Sequence, residues 1–396
     1  MPISDHLLQR IRESVANLNG DLIALRRDLH AHPEVSLQEV RTTAVIAEVL
    51  RTAGLEPVLL EGTGLYCDLG PGDGPRLGMR ADLDALPVPE LTDLPWKSTV
   101  DGVAHACGHD VHTTILVGTA LVLKELYDDD ALTHPVRFIF QPAEETQPGG
   151  GAAVIQAGVL DAVDRAVALH CEPSLNSGQV GVRVGALTST SDAVKVTVSS
   201  HGGHTSRPHL TGDVVFALGE LITQVPAILG RRIDPRSGVN LTWGSVKAGN
   251  SKNAIPSSGW VAGTMRCLDV RVWEQAGELF DSAVRAVVAP FGVDVEIDRI
   301  AGVPPVVNDP QVTANIEDAA RLVVGAENVI QVEQSLGGED FGWYCRHVPA
   351  AMARLGTGTP DGVRFDLHQG DLVIDEGAIR VGVELLSVLA AGEDLG

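Results

Sequence analysis

The chain has 396 residues, 44% of them hydrophobic and 20% charged, with 29 basic against 52 acidic side chains and a formal net charge of −23. At roughly 100–200 residues per domain this length allows two to three domains with a sizeable core, which excludes a small disulfide-stapled scaffold; the composition is globular rather than disordered. So negative a field argues against nucleic-acid or anionic membrane partners unless a local basic patch overcomes it.

The predicted elements begin with a helix over residues 5–29, where apolar residues recur at helical spacing. Ser36-Leu37-Gln38-Glu39 has the pattern of a capping box and predicts a second helix that stops at Gly54. An apolar run at 77–79 leads into Arg80-Ala81-Asp82-Leu83-Asp84-Ala85-Leu86-Pro87. Carboxylates after a strand, ended by Pro, sit where α/β proteins place their sites. A helix over 110–126 and buried strands over 136–140 and 166–169 continue an alternation that argues for a sheet sandwiched by helices.

From Asp192 the pattern changes. Strands at 193–199, 239–246, 260–267 and 293–297 with helices at 213–229 and 270–288 make a compact α+β unit of four strands and two helices. Helix and short strand return from Pro310. The expected organisation is an α/β catalytic domain over 1–188 and 300–396, interrupted by an inserted domain over 189–299. Charge divides the same way: the segment from Ser189 to Arg299 holds 11 acidic and 11 basic residues, so the remainder carries the whole excess.

No apolar run approaches the ~20 residues of a membrane span, and the opening MPISDHLLQRIRESV lacks a secretory signal's apolar stretch, so a cytoplasmic protein without membrane contact is expected. The five cysteines are odd in number and widely spread, which suits free thiols or metal ligands better than a disulfide framework.

The densest chemistry lies in His105-Ala106-Cys107-Gly108-His109-Asp110-Val111-His112. A thiolate and an imidazole two residues apart can point to one side of an extended segment and share a metal, although a buried Cys beside surface histidines reads equally well from this octapeptide. The strand at 136–140 runs into Gln141-Pro142-Ala143-Glu144-Glu145. Adjacent carboxylates at the end of an apolar strand repel unless a cation or a shared proton holds them, and one can bind metal while its neighbour serves as general base. His170 ends another buried strand, and His368 follows Phe365-Asp366-Leu367. With Cys107, His109 and Glu145 these complete a five-ligand set, enough for two zinc-like ions. A cysteine-hydrolase pairing of Cys107 with His109 is weaker, and the chain has no nucleophile elbow, phosphate loop or dinucleotide fingerprint. A metal-assisted hydrolase is the leading reading.

Read in order, Arg27-Asp28-Leu29-His30-Ala31-His32-Pro33-Glu34, Arg80 to Pro87, His105 to His112, Gln141 to Glu145, Gly202-Gly203-His204, Asn253-Ala254-Ile255-Pro256, Gly263-Thr264-Met265-Arg266, Gly337-Gly338-Glu339-Asp340-Phe341 and His368 span nearly the whole chain. In these landmarks the sequence resembles the hippurate hydrolase and indoleacetyl-amino-acid hydrolase branch of the co-catalytic metal aminoacylase/carboxypeptidase superfamily. The resemblance implies a catalytic domain with a central, mostly parallel sheet, and identifies the inserted domain as a lid and dimerisation domain. It implies metal ligands at Cys107, His109, Glu145, His170 and His368, a general base at Glu144, and Asp84 as the carboxylate behind the metal shell.

By the same resemblance His204, often delivered from a partner subunit, polarises the scissile carbonyl, and Asn253 and Arg266 hold the substrate's free carboxylate. The implied cofactors are two divalent ions, zinc first, with manganese, cobalt or nickel as alternatives. The implied activity is hydrolysis of the amide bond of small N-acyl amino acids by a homodimer paired through the lid domain. A dipeptidase, a carboxypeptidase or a cell-wall-precursor deacetylase of the same fold stands as the alternative, as does a catalytically silent binding protein.

Overall fold

The computed structural model describes residues 3–72, 76–360 and 362–392. The chain divides into two compact units, one formed by Met1–Leu187, Val306–Gln334 and Asp340–Gly396, the other by Thr188–Pro305 and Ser335–Glu339. The inserted unit therefore runs past the expected 189–299 limits, and it takes back a five-residue segment from the C-terminal part of the chain. Hydrogen bonds explain that return: the Ser189 amide donates to Gly337 O and the Ser189 hydroxyl to Leu336 O.

The larger unit is built on an eight-stranded sheet. Its centre is parallel: Val136–Gln141, Leu77–Asp82, Arg165–Asn176 and Ala350–Gly358 lie side by side in that order. Val136–Gln141, Leu77–Asp82 and Ala350–Gly358 are buried at every residue, as expected of parallel strands covered on both faces. The flanking strands add antiparallel pairs, so the sheet is mixed at its margins. Helices Asp5–Ala31, His109–Asp128 and Gly377–Ala391 pack on it, and one apolar cluster runs through Ile11, Leu22, Val117, Phe138, Ala353 and Val383.

Register does the positioning. Asp82 pairs with Gln141, and Arg80 pairs with both Ile139 and Ala168, which brings His170 level with Asp82. The ends of two central strands thus deliver Asp84 and the Glu144-Glu145 pair beside His170, at the carboxyl edge where open α/β sheets bind ligands.

The predicted second helix starts late, at Val40, and ends at Thr52. Its expected capping box does not form. Ser36 Oγ donates instead to Asp84 Oδ2 at 2.6 Å, and Glu39 is fully buried, accepting from Thr63 Oγ1 and the Ala143 amide. Glu34 takes over the cap, its two oxygens accepting the Arg41 and Thr42 amides at 2.9 and 2.8 Å.

The smaller unit is an antiparallel sheet in the order Asn240–Ala248, Ser258–Arg266, Asp192–Ser199, Asp294–Ile300, with helices Val214–Arg232 and Val270–Val288. Strand Asp192–Ser199 alternates buried and less buried positions, with Val194, Val196 and Val198 facing a core that holds Leu221, Val261 and Phe280. Helix Val214–Arg232 has a mean hydropathy of 1.4 and by length and composition could cross a membrane. This corrects the expectation that no apolar run approaches a span. Its buried Val214, Ala217, Leu218, Leu221, Val225 and Leu229 recur at three- and four-residue steps and belong to the same core, which accounts for the apolarity.

Candidate metal centre

Five donors converge from four segments of the larger unit. His109 opens helix His109–Asp128, and its cap Gly108 has φ 83°, where a Cβ would lie 2.8 Å from Cys171 Sγ. Only glycine fits there. The turn aims Cys107 and His109 to one place: Cys107 Sγ is 3.7 Å from His170 Nε2, and His109 Nε2 is 3.9 Å from Glu145 Oε1. His368 Nε2 completes the group 3.3 Å from the same Glu145 oxygen. Ligand atoms of Cys107, His109 and His170 lie within 4.8 Å of one another, as do those of Cys107, Glu145 and His368, and those of His109, Glu144 and Glu145.

Two backbone positions here are held in the left-handed region without glycine: Ala143 at φ 58° and His368 at φ 63°. Hydrogen bonds hold them, the Ala143 amide to Glu39 Oε1 and the His368 amide to Ala106 O at 2.7 Å. Strain of this kind persists only where the surroundings over-determine it.

Asp84 organises the shell. It accepts the Glu144 amide at 3.0 Å, the Glu145 amide at 2.9 Å and the Ser36 hydroxyl at 2.6 Å, and lies 3.3 Å from His109 Nδ1. Burial pushes its carboxyl up, but His109, Ser36 and the Glu145 amide together hold it below the ordinary range. His109 Nδ1 also faces Asp84 O at 2.9 Å, so Nε2 is the atom turned to the cluster, and there it is buried with no hydrogen-bond partner among the described residues. His170 is oriented likewise, Nδ1 on Cys171 O at 2.8 Å and Nε2 inward. Imidazoles fixed at one nitrogen with the other turned inward are the arrangement of metal-ligating histidines.

The electrostatics fit the same group. Burial pushes the Cys107 thiol far up and His170 far down, whereas His109 rises despite burial because Asp82 and the cysteine face it. A mixed sulfur, nitrogen and oxygen set around an orphaned imidazole nitrogen suits zinc or its first-row neighbours. The residues present therefore fit a pair of divalent cations.

Three expected site residues lie in the smaller unit. His204 pairs with Ala254 in a two-stranded ribbon, which places Asn253 next to it. The Ser206 amide donates to His204 Nδ1 at 3.1 Å, so the proton resides on Nε2, and His204 is exposed. Arg266 ends strand Ser258–Arg266 and donates to Leu336 O at 2.5 Å.

Other residues at the centre had no assigned role. His112 donates from Nδ1 to Asp82 at 2.6 Å and accepts the Cys171 amide at Nε2, locking strand Arg165–Asn176 to the helix. Arg26 and His30 both reach Asp110 Oδ2 at 2.8 Å, and His30 Nε2 meets Glu90 at 3.2 Å, so the segment at 26–34 braces the residue after His109. The run from Arg27 to Glu34 was conspicuous in the sequence, but nothing local indicated these partners.

The profile of peptidase family M20/M25/M40 matches residues 78–391. The chain belongs to this family. It is an M20 hydrolase with a dinuclear metal peptidase fold, and relatives in the family show the resemblance at full length. The N-acetyl-L-cysteine deacetylase of Bacillus subtilis (strain 168) is 37% identical over 92% of this chain and 86% of its own length. The solved YxeP protein of Bacillus subtilis, described as a dinuclear metal binding peptidase, shares 33% identity with a TM-score of 0.81, covering 95% of this chain and 98% of that one. A protein of Rhodococcus jostii (strain RHA1) carrying a glutamate–cysteine ligase 2-3 name is 49% identical over 94% of this chain, which spans only 47% of that protein's length.

Proposed function

We propose that this M20 hydrolase cleaves the amide bond of N-acyl amino acids, releasing a carboxylic acid and a free amino acid. The observation that carries the reading is the juxtaposition of Glu144 with the His109 and Glu145 ligand atoms on a backbone fixed by Asp84. The named activity of the B. subtilis deacetylase supports the N-acyl class.

Cys107, His109, Glu145, His170 and His368 hold the two ions, zinc being our first choice. When bound, the ions would acidify a water and polarise the acyl carbonyl. Glu144 takes the proton of the attacking water and returns it to the departing amine. His204, with its proton on Nε2, donates to the oxyanion of the tetrahedral intermediate. Arg266, with Asn253, holds the free carboxylate, since a guanidinium fork can bind it at two points.

The protein acts as a homodimer paired through the smaller unit. The free edge of strand Asn240–Ala248, with Val246 55% exposed, supports this, as do Val215 and Phe216, exposed on helix Val214–Arg232.

The test is a panel of N-acetyl amino acids, N-benzoyl amino acids and free dipeptides, assayed after chelation and after return of Zn(II) or Mn(II). Turnover should vanish with chelator, return with metal and favour the N-acyl compounds. Preference for a free α-amino group, or metal uptake without hydrolysis of any compound, overturns the reading.

A further inference from the structure

The loop from Gln141 to Gly151 carries both Glu144 and Glu145, and one distant side chain grips both of its ends. Asp340 Oδ1 and Oδ2 accept from Gln141 Nε2 at 2.9 and 2.7 Å where the loop begins, and Oδ2 accepts the Gly151 amide at 2.8 Å where it ends. The turn closes around this carboxylate. A Cβ at Gly149 would overlap Asp340, one at Gly150 would overlap Pro142 O, and one at Gly151 would come within 2.9 Å of Asp340 O. Three consecutive glycines are thus the condition for the loop to wrap the aspartate. The Asp340 amide also reaches Glu144 Oε1, at 3.4 Å.

Asp340 is itself held. Arg80, 3% exposed, places Nη2 2.5 Å from Asp340 Oδ1, Nη1 2.6 Å from Asp82 Oδ2, and Nε 3.2 Å from Gln141 Oε1. Asp82 in turn takes His112. The buried guanidinium bridges two fully buried carboxylates, and its rigid fork fixes the separation of strand and loop.

We propose that Asp340, clamped by Arg80, is the positioning residue for the Glu144-Glu145 loop: it cinches the loop at both ends, presents Glu144 and keeps Glu145 in ligand range. The inference rests on the proposed roles of Glu144 and Glu145. The role assigned to Asp340 is to act through the loop that it grips.

The test uses full-length Asp340→Asn, in which an amide NH2 must face the donors of Gln141, Gly151 or Arg80. We expect kcat to fall ~100-fold for a misplaced base, with KM little changed. Zn(II) affinity, read by competition with a chromophoric chelator, should fall ~10–100-fold. A merely structural role would lower the urea midpoint and leave the folded protein's Zn(II) affinity as in the parent. If Asp340→Asn does not fold, Arg80→Lys and Arg80→Gln replace it, with Lys expected to retain more Zn(II) affinity than Gln.

Folded Asp340→Asn with parental kcat and Zn(II) affinity overturns the proposal, as do equal affinities in the two Arg80 variants. The competition measurement is repeated with Glu144→Gln as the parent. Full turnover by Glu144→Gln sinks the general-base assignment, while the Zn(II) result still judges the clamp.

Discussion

Asp84 accepts the amides of both Glu144 and Glu145, so one carboxylate fixes the backbone from which the proposed base and the proposed ligand project. Replacing Glu144 by Gln keeps the shape and removes the proton acceptor. Turnover should drop ~10²–10⁴-fold with both metals retained, and metal analysis beside steady-state kinetics checks this. Glu90 gives a pH prediction away from the ligands. Its side chain is 5% exposed, and although burial pushes it up, His30, Thr92 and the Ser98 amide bring it down from 4.5 to about 2. As pH falls the unfolded chain takes up this proton first. The stabilisation is therefore complete above pH 4.5 and lost as pH drops toward 2, amounting to at most ~3 kcal/mol. In urea unfolding of chelator-treated protein, Glu90→Gln should flatten the acid limb of stability against pH, and an unchanged limb refutes the assignment.

Helix Val40–Thr52 shows how tertiary demand redirects a local signal. Glu34, not Ser36, caps its first turn, so Glu34→Ala should cost about 1 kcal/mol of stability by thermal or urea unfolding. Ser36→Ala should leave the helix intact and instead weaken metal binding, because it strips a hydrogen bond from Asp84. The two substitutions thus separate by readout, unfolding midpoint for one and chelator competition for the other. A loss of helix stability in Ser36→Ala equal to that in Glu34→Ala would restore the capping box. Helix His109–Asp128 is placed by the opposite kind of signal. The cysteine and histidine spacing was visible locally, while the brace beneath it, from Arg26 and His30 to Asp110, joins residues 80 or more apart.

Charge links the two units to the chemistry. The excess of 23 negative charges resides outside the neutral segment from Ser189 to Arg299, which favours cation retention by the larger unit but repels an anionic substrate at long range. Moderate salt should therefore lower the apparent KM for N-acyl amino acids by screening; a rise with salt would show that the local field of Arg266 dominates. Sedimentation at assay concentration tests the proposed dimer, and a fully active monomer removes any role for His204 in trans. The sequence by itself determined the α/β class, the four-stranded inserted unit and the candidate metal-ligand set, because hydrophobic period and the chemistry of neighbouring residues are local properties. Only the tertiary structure decided that Ser36 and Glu39 serve the site rather than a helix cap, that Ser335–Glu339 joins the smaller unit, and that Asp340 grips a loop almost 200 residues earlier in the chain. The reason is the cost of burying polar groups unpaired. Each buried carboxylate must find its donors wherever the fold brings them, and sequence distance places no limit on that search.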